Sequence, residues 1–253
     1  MKKRTVLYLA AAMILLGVLG YSVYRLISMN ADYSAESKVH EALLRFKPEA
    51  SADYPAAEPS KDPDTVVTEP FLNEKIAELQ EEYPNAIGWI TVPGTDVDYP
   101  FTQGPDNDYY LRRGLDGNYL YAGVPFLDYR CAPDFSDGNT IIYGHNLRNG
   151  TMFGTLESFK TQQFFQEHRT FTVYLRDKTI EAEIIACVVF QANHAPFLYQ
   201  VSPQENYLSD LSKQARCTAD LSAIEDGARF ITLSTCDYEA ADGRTVLVGR
   251  IIE

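Results

Sequence analysis

The order of apolar and polar positions divides the chain into stretches of different period. Residues 5–24, TVLYLAAAMILLGVLGYSVY, carry no charge; twenty helical residues span roughly 30 Å, the thickness of one bilayer core. Lys2, Lys3 and Arg4 precede them, and the positive-inside bias then predicts a cytoplasmic N-terminus with the rest of the chain outside. The rival is a cleaved signal peptide, for which the apolar run is long and lacks a following small-x-small site. Residues 31–46 place Val39, Ala42, Leu43 and Phe46 at helical spacing, which predicts one short amphipathic helix. Residues 47–70 hold Pro48, Pro55, Pro59, Pro63 and Pro70 among many acids and read as an extended, stiff spacer.

From residue 71 the pattern becomes that of a folded body. FLNEKIAELQEEY, residues 71–83, alternates at helical period and stops at Pro84. Short apolar or β-branched runs then predict strands at Ile87–Val92, Val97–Phe101, Val124–Asp128 and Thr140–His145. Met152–Phe159 and Gln162–His168 read as helical. Phe171–Arg176 and Ile180–Phe190 read as a hairpin around Asp177 and Lys178. Residues 191–227 form a long connection, in which Pro203–Ala215 has the pattern of a helix, and Arg229–Thr235 and Thr245–Ile251 are the last strands. Many short strands with interposed helices predict an α+β, mainly β domain around a closed or nearly closed antiparallel barrel. A connection as long as 191–227 inside one domain is usually functional.

Charge narrows the partners. Setting aside Lys2, Lys3, Arg4 and Arg25 leaves 18 basic residues against 35 acidic ones, a balance of −17. Nucleic acid needs basic patches, so it is excluded; solubility near an anionic surface explains the acidity. The four cysteines, Cys131, Cys187, Cys217 and Cys236, form no CxxC pair, which argues against zinc or redox motifs. Cys187 sits in an apolar run and reads as core. Cys131 and Cys217 sit in polar surroundings; no disulfide framework is expected, although a Cys131–Cys217 bridge stays open.

Two segments carry chemistry. In NTIIYGHNLRNGTMFGTL, residues 139–156, a strand delivers His145 at its end, after a glycine that removes side-chain bulk. In ITLSTCDYEAADGR, residues 231–244, another strand delivers Cys236, and Arg244 opens the next strand. A cysteine nucleophile acts as thiolate, which a nearby His or Arg favours, and acyl transfer needs a donor for the oxyanion. Taken singly, a His at a strand end or a Cys in an apolar strand is more often structural.

TLSTC followed by an arginine, with YGHN upstream, resembles the sortase family of Gram-positive bacteria. NAIGWITVPGTDVDYPFTQGPDNDYYL (85–111), VPFLDYR (124–130), and NTIIYGHN with GTMFGTL resemble class B members in particular, as does a helix in the 191–227 connection. The resemblance covers roughly residues 71–253. It implies a closed eight-stranded sortase-type barrel with peripheral helices, and a division into cytoplasmic tail (1–4), transmembrane anchor (5–27), membrane-proximal helix and linker (28–70) and catalytic domain (71–253). It implies a transpeptidase that cuts a C-terminal sorting signal of the Asn-Pro-x-Thr-Asn or Ser/Pro-Pro-x-Thr-Gly kind in secreted proteins. The thioester then passes to a cell-wall peptide amine, a peptidoglycan precursor or a pilin lysine, without cofactor or metal. By position Cys236 is the nucleophile, His145 the acid and then base, and Arg244 the substrate and oxyanion holder.

Asn107 and Leu111 match groove positions of class B relatives, and Tyr143 could shape the pocket. Ser234 and Thr235 either bond substrate or are ordinary strand-end residues. Asp237 and Glu239 read as solvated, with contact to the incoming amine as the alternative. Arg250 is the rival arginine, six residues or roughly 20 Å along the same strand. His40, His168 and His194 are the other histidines; His168 reads as a helix C-cap charge. Two other functions remain in play: a cysteine endopeptidase using the same three residues with water as acceptor, and a non-catalytic surface adhesion module.

Overall fold

The structure, a computed structural model, describes residues 3–49, 72–191, 194–238 and 242–252. In chain order its elements are α1 (Lys3–Leu43), α2 (Glu74–Glu82), β1 (Ala86–Thr91), β2 (Asp98–Gln103), β3 (Phe126–Leu127), β4 (Asn139–Tyr143), α3 (Gln162–Glu167), β5 (Thr170–Leu175), β6 (Thr179–Gln191), α4 (Tyr207–Gln214), β7 (Ala215–Thr218), β8 (Phe230–Asp237) and β9 (Gly243–Ile252). The strands run β5-β1-β2-β3-β4-β8-β9-β6, and β6 pairs back onto β5, so eight strands close a ring. At 13 residues, β6 is long enough to pair with β9 along most of its length, with β5 at one end and with the extra strand β7 at the other.

The ring is mixed rather than antiparallel: β2–β3 and β4–β8 are parallel pairs. Parallel neighbours need long crossovers, and the chain supplies them between β2 and β3 and between β4 and β8. Inside the ring Ile90, Phe101, Leu127, Ile141, Phe171, Val173, Ile184, Ile231, Leu233 and Leu247 pack together. On β8 and β9 the alternate residues Phe230, Val246 and Val248 face outward, against Tyr207 and Leu211 of α4.

Several expected elements shift. Residues 31–46 are not a separate helix. They continue α1 from the apolar stretch and end in a 3-10 turn, Leu44–Phe46. The spacer expected over 47–70 falls mainly outside the described residues. The run Val124–Asp128 contributes only two strand residues, and Met152–Phe159 becomes a 3-10 turn at Gly154–Lys160. Helix α4 is shorter than Pro203–Ala215: it begins only at Tyr207, and at its other end Ala215–Thr218 leaves it to pair with β6. Cys131 and Cys217 are buried rather than in polar surroundings; all four cysteines are free thiols, and Cys236 alone is exposed. The 191–227 connection also forms a 3-10 turn at Pro196–Tyr199.

The far end of α1 belongs to the body. Leu43 and Phe46 share a buried cluster with Ile76 and Leu79 of α2 and with Trp89 and Phe126 of the barrel. Asn73 caps α2, its side chain accepting from Ile76 N. Deleting an aromatic side chain at such a site leaves a cavity. Phe46→Ala is expected to cost about 3 kcal/mol, measured by denaturant titration. An unchanged midpoint would show that the end of α1 contributes nothing to the folded unit.

Candidate active site

Strands β8 and β9 are paired antiparallel so that Cys236 lies directly opposite Arg244. Opposed residues of an antiparallel pair share a face, with Cα atoms roughly 4.5–5.5 Å apart. That register separates the two candidate arginines. Arg250 faces Phe230 at the other end of β8, and its guanidinium is 2.8 Å from Glu183.

His145 reaches the same place through the parallel pair. Tyr143 on β4 is the register partner of Ser234 on β8, and Gly144 N donates to Ser234 O at 3.1 Å. Because both strands run in one direction, the chain leaving β4 through His145 travels beside the chain leading to Cys236. An antiparallel pair would have sent them to opposite ends. The strand stops at Tyr143, two residues before His145. Gly144 is required there: a Cβ would stand 2.5 Å from the Phe153 ring.

Asn107, Leu111, Phe126, Tyr143, Gly144, His145, Ser234, Thr235, Cys236 and Arg244 line one cleft of about 270 Å³. All eight residues singled out in the sequence are therefore gathered in one place. His145 Nε2 is 2.7 Å from Leu111 O. A carbonyl only accepts, so Nε2 carries the hydrogen and Nδ1 is left to take up or release a proton. Burial lowers the imidazole pKa below its ordinary value; the bond to Leu111 partly opposes this and Arg112 adds to it.

One wall of the cleft is a hydrogen-bonded aromatic stack. Asp128 is fully buried and accepts from Asn107 Nδ2 (3.0 Å), the Tyr143 hydroxyl (2.9 Å) and Arg130, which pairs with both carboxylate oxygens. Burial works against its charge, but these donors outweigh burial and hold the carboxyl at about 2. Tyr143 stacks on Tyr199, ring centroids 6.1 Å apart, and the Tyr199 hydroxyl bonds Ser234 Oγ at 2.9 Å. Sequence reasoning missed Tyr199 and Asp128. The signal for Tyr199 lay only in the length of the connection that carries it.

The period of two along β8 sorts the remaining residues. Ser234 and Cys236 share one face; Thr235 and Asp237 share the other, with Ile231 and Leu233. The Thr235 hydroxyl is accordingly buried, with no hydrogen-bond partner among the described residues. Asp237 is not solvated as expected. It is 5% exposed, 2.6 Å from Lys160 Nζ, and accepts from Thr245 Oγ1 at 2.6 Å. Lys160 is itself 3.6 Å from Glu157. Glu157 accepts from Asn146 Nδ2, which also donates to Cys236 O at 2.9 Å. Asn146, the residue after His145, thus ties the histidine's loop to the cysteine's backbone. Glu239 lies outside the described residues.

The other thiols and imidazoles are placed differently. Burial pushes Cys131 up to about 11 and Cys187 up to about 12, and also raises Cys217. His168 caps α3 and stacks on Phe164, His40 packs against Tyr99, and His194 is exposed.

A closed mixed barrel with Cys, His and Arg at adjacent strand ends defines a family, and comparison with known proteins agrees. The sortase domain family model matches residues 90–252. The chain belongs to the sortase family, whose members are cysteine transpeptidases. Within it the similarity is to class B. Sortase B of Listeria monocytogenes is 32% identical over 260 residues, spanning 100% of this chain and 99% of that one. The crystal structure of Clostridium perfringens sortase B has a TM-score of 0.66 at 30% identity, covering 70% of this chain and 99% of that chain. A Streptococcus pyogenes class B sortase involved in pilus biogenesis has a TM-score of 0.65 at 29% identity, covering 70% and 97%.

Two outcomes follow from the charges. Removing a cation from a buried pair leaves an uncompensated carboxylate, so Lys160→Met is expected to cost about 3–5 kcal/mol at neutral pH. Adding Asp237→Asn should recover part of that loss in a denaturant titration; no recovery would show that the pair is not what holds the strand. For His145, the folded pKa lies below the unfolded one, so the unfolded chain binds the extra proton. Its contribution is complete above the unfolded value and is lost as pH falls from there through the folded value. Melting temperatures from pH 7.5 to 5 should therefore fall more steeply for the wild type than for His145→Gln. His40, also lowered by burial, would account for part of the slope that remains.

Proposed function

We propose that this chain is held in a membrane by α1 and joins secreted proteins bearing a C-terminal sorting signal to an amine of the cell wall. The N-terminus is cytoplasmic and the barrel is outside. The observation that carries the chemistry is the β8–β9 register, which sets Cys236 opposite Arg244 in a cleft shared with His145.

The Cys236 thiolate attacks the carbonyl carbon of the signal's threonine. Arg244 faces the oxygen as it gains charge; one such donor is worth about 10²–10³ in rate. His145, as imidazolium, gives its proton to the departing nitrogen as the C–N bond breaks, which leaves a thioester. An incoming amine attacks that carbonyl, His145 takes the amine's proton, and the C–S bond breaks to restore the thiolate. Burial favours the neutral imidazole, so the imidazolium that protonates the departing nitrogen is the disfavoured form of His145.

Asn107, Leu111 and Tyr143 form the groove wall that receives the signal, with Ser234 beside the nucleophile. A signal of the Asn-Pro-x-Thr-Asn or Ser/Pro-Pro-x-Thr-Gly kind suits a groove that is apolar at Leu111 and Phe126 and polar at Asn107. The relative from Streptococcus pyogenes is involved in pilus biogenesis, so a pilin lysine stands beside a wall-peptide amine as acceptor.

The test is a set of quenched signal peptides incubated with and without diaminopimelate or a lysine peptide, with products read by mass. A peptide–amine conjugate should form and disappear in Cys236→Ala, and Arg244→Ala should lower kcat about 10²–10³-fold. Hydrolysis that is indifferent to added amine would establish an endopeptidase instead. An Arg244→Ala enzyme with unchanged kcat would remove the arginine from the mechanism.

A further inference from the structure

Helix α1 leaves no tether between its apolar stretch and the barrel. Exposed apolar side chains run from Tyr8 to Ile27. Partial burial begins at Ser28 and Met29, the next residues, with no break in the helix. Six residues beyond Ile27 the Tyr33 ring meets Tyr121 edge-on, centroids 6.5 Å apart. Glu36 is buried and accepts from the Tyr99 hydroxyl at 3.4 Å, and Leu43 and Phe46 enter the core. Ile76 and Leu79 lie in that same cluster. Phe46 and Ile76 therefore both sit on the body, in one cluster.

One side of this junction leads to the mouth of the candidate active site. Arg112 lies over the Tyr121 ring, 4.5 Å from its centroid, and it follows Leu111, whose carbonyl holds His145. Tyr238, exposed and two residues past Cys236, is close to Tyr33, Tyr121 and Arg148. Its hydroxyl donates to Asn146 O. The rim therefore presents tyrosines and arginines, on a body whose balance is strongly acidic. Tyrosine and arginine are the side chains that a layer of anionic headgroups accepts. The height is close to what this needs: Tyr33 stands roughly 9 Å along the axis from Ile27, at the outer edge of a headgroup layer roughly 5–8 Å deep.

We propose that Tyr33, Tyr121, Tyr238, Arg112 and Arg148 seat the mouth of the cleft on the anionic phospholipid headgroups of the membrane that α1 enters. The enzyme then works at one fixed height, on signals and amines presented at the bilayer surface. This rests on the membrane-anchored transpeptidase reading above.

The test uses the full chain reconstituted in phosphatidylglycerol–phosphatidylcholine vesicles containing a headgroup-spin-labelled lipid. Tyr238→Trp adds a tryptophan at the rim; the native Trp89 is buried and supplies the background. The added emission should be quenched in these vesicles. Emission equal to that in unlabelled vesicles would overturn the proposal. Seven helical residues inserted after Ile27 raise the rim by roughly 10 Å and turn it by only about 20°. In that variant quenching should be lost, cleavage of a soluble signal peptide retained, and transfer to a lipid-linked amine lowered about tenfold. Persistent quenching after insertion, or unchanged transfer to the lipid-linked amine, would also overturn it. A chain that an alkaline wash strips from the vesicles would overturn the anchoring itself. Loss of soluble-peptide cleavage in the otherwise intact wild type would overturn the transpeptidase reading, and the two failures are read separately.

Discussion

The site depends on the register of β8 against its neighbours. Because side chains alternate, a slip of one residue would turn Cys236 into the barrel and bring Thr235 or Asp237 out to the cleft. The register is held on both faces: Ile231, Leu233 and Leu247 pack inward, while Phe230, Val246 and Val248 pack against α4. The Lys160–Asp237 pair adds a polar pin, since a one-residue slip would separate Asp237 from its cation and leave Lys160 buried without its carboxylate. The orientation of Cys236 is thus fixed by groups that lie outside the cleft.

The mixed character of the ring matters as much as its closure. In the β4–β8 pair both strands run the same way and end together, so His145 and Cys236 emerge side by side from residues 91 positions apart in sequence. Asn146 then joins the two exits by donating to Cys236 O. The glycine between strand and histidine lets the turn pass beneath Phe153. The general acid and the nucleophile of the proposed mechanism are in this way placed by backbone geometry.

The strands at Ala86–Thr91, Thr170–Leu175, Phe230–Asp237 and Gly243–Ile252 were legible in the sequence because their apolar alternation is local. The same holds for Cys236, His145 and Arg244, which the motifs mark at strand ends. What could not be read was set by partners distant in the chain. Ala215–Thr218 has no strand pattern of its own and becomes one by pairing with β6. Asp237 follows an exposed cysteine and precedes an exposed tyrosine, yet the strand's alternation turns it inward to Lys160, 77 positions away in sequence. Parallel pairing is likewise invisible to periodicity, which reports which residues share a face but not the direction of the neighbour. The apolar stretch and the amphipathic one after it read as two elements because the pattern changes near residue 28. The helix runs through that point because residues 25–31 hold no proline and no glycine to stop it.

The cleft wall shows how a groove can be polar and still rigid. Asn107, Tyr143 and Arg130 all converge on Asp128, and Tyr199 and Ser234 satisfy each other. The shared carboxylate stays charged well below neutral pH, so the arrangement does not loosen as the surroundings acidify. Tyr143 is driven the other way, its phenol pKa raised by burial and then by Asp128, which keeps it a donor to that carboxylate. On the proposed function, a signal peptide entering here meets aromatic faces and at most one spare amide hydrogen on Asn107. Under that proposal shape at this wall does more to select the signal than new hydrogen bonds do, and the charged groups of the cleft are left for the step in which charge develops.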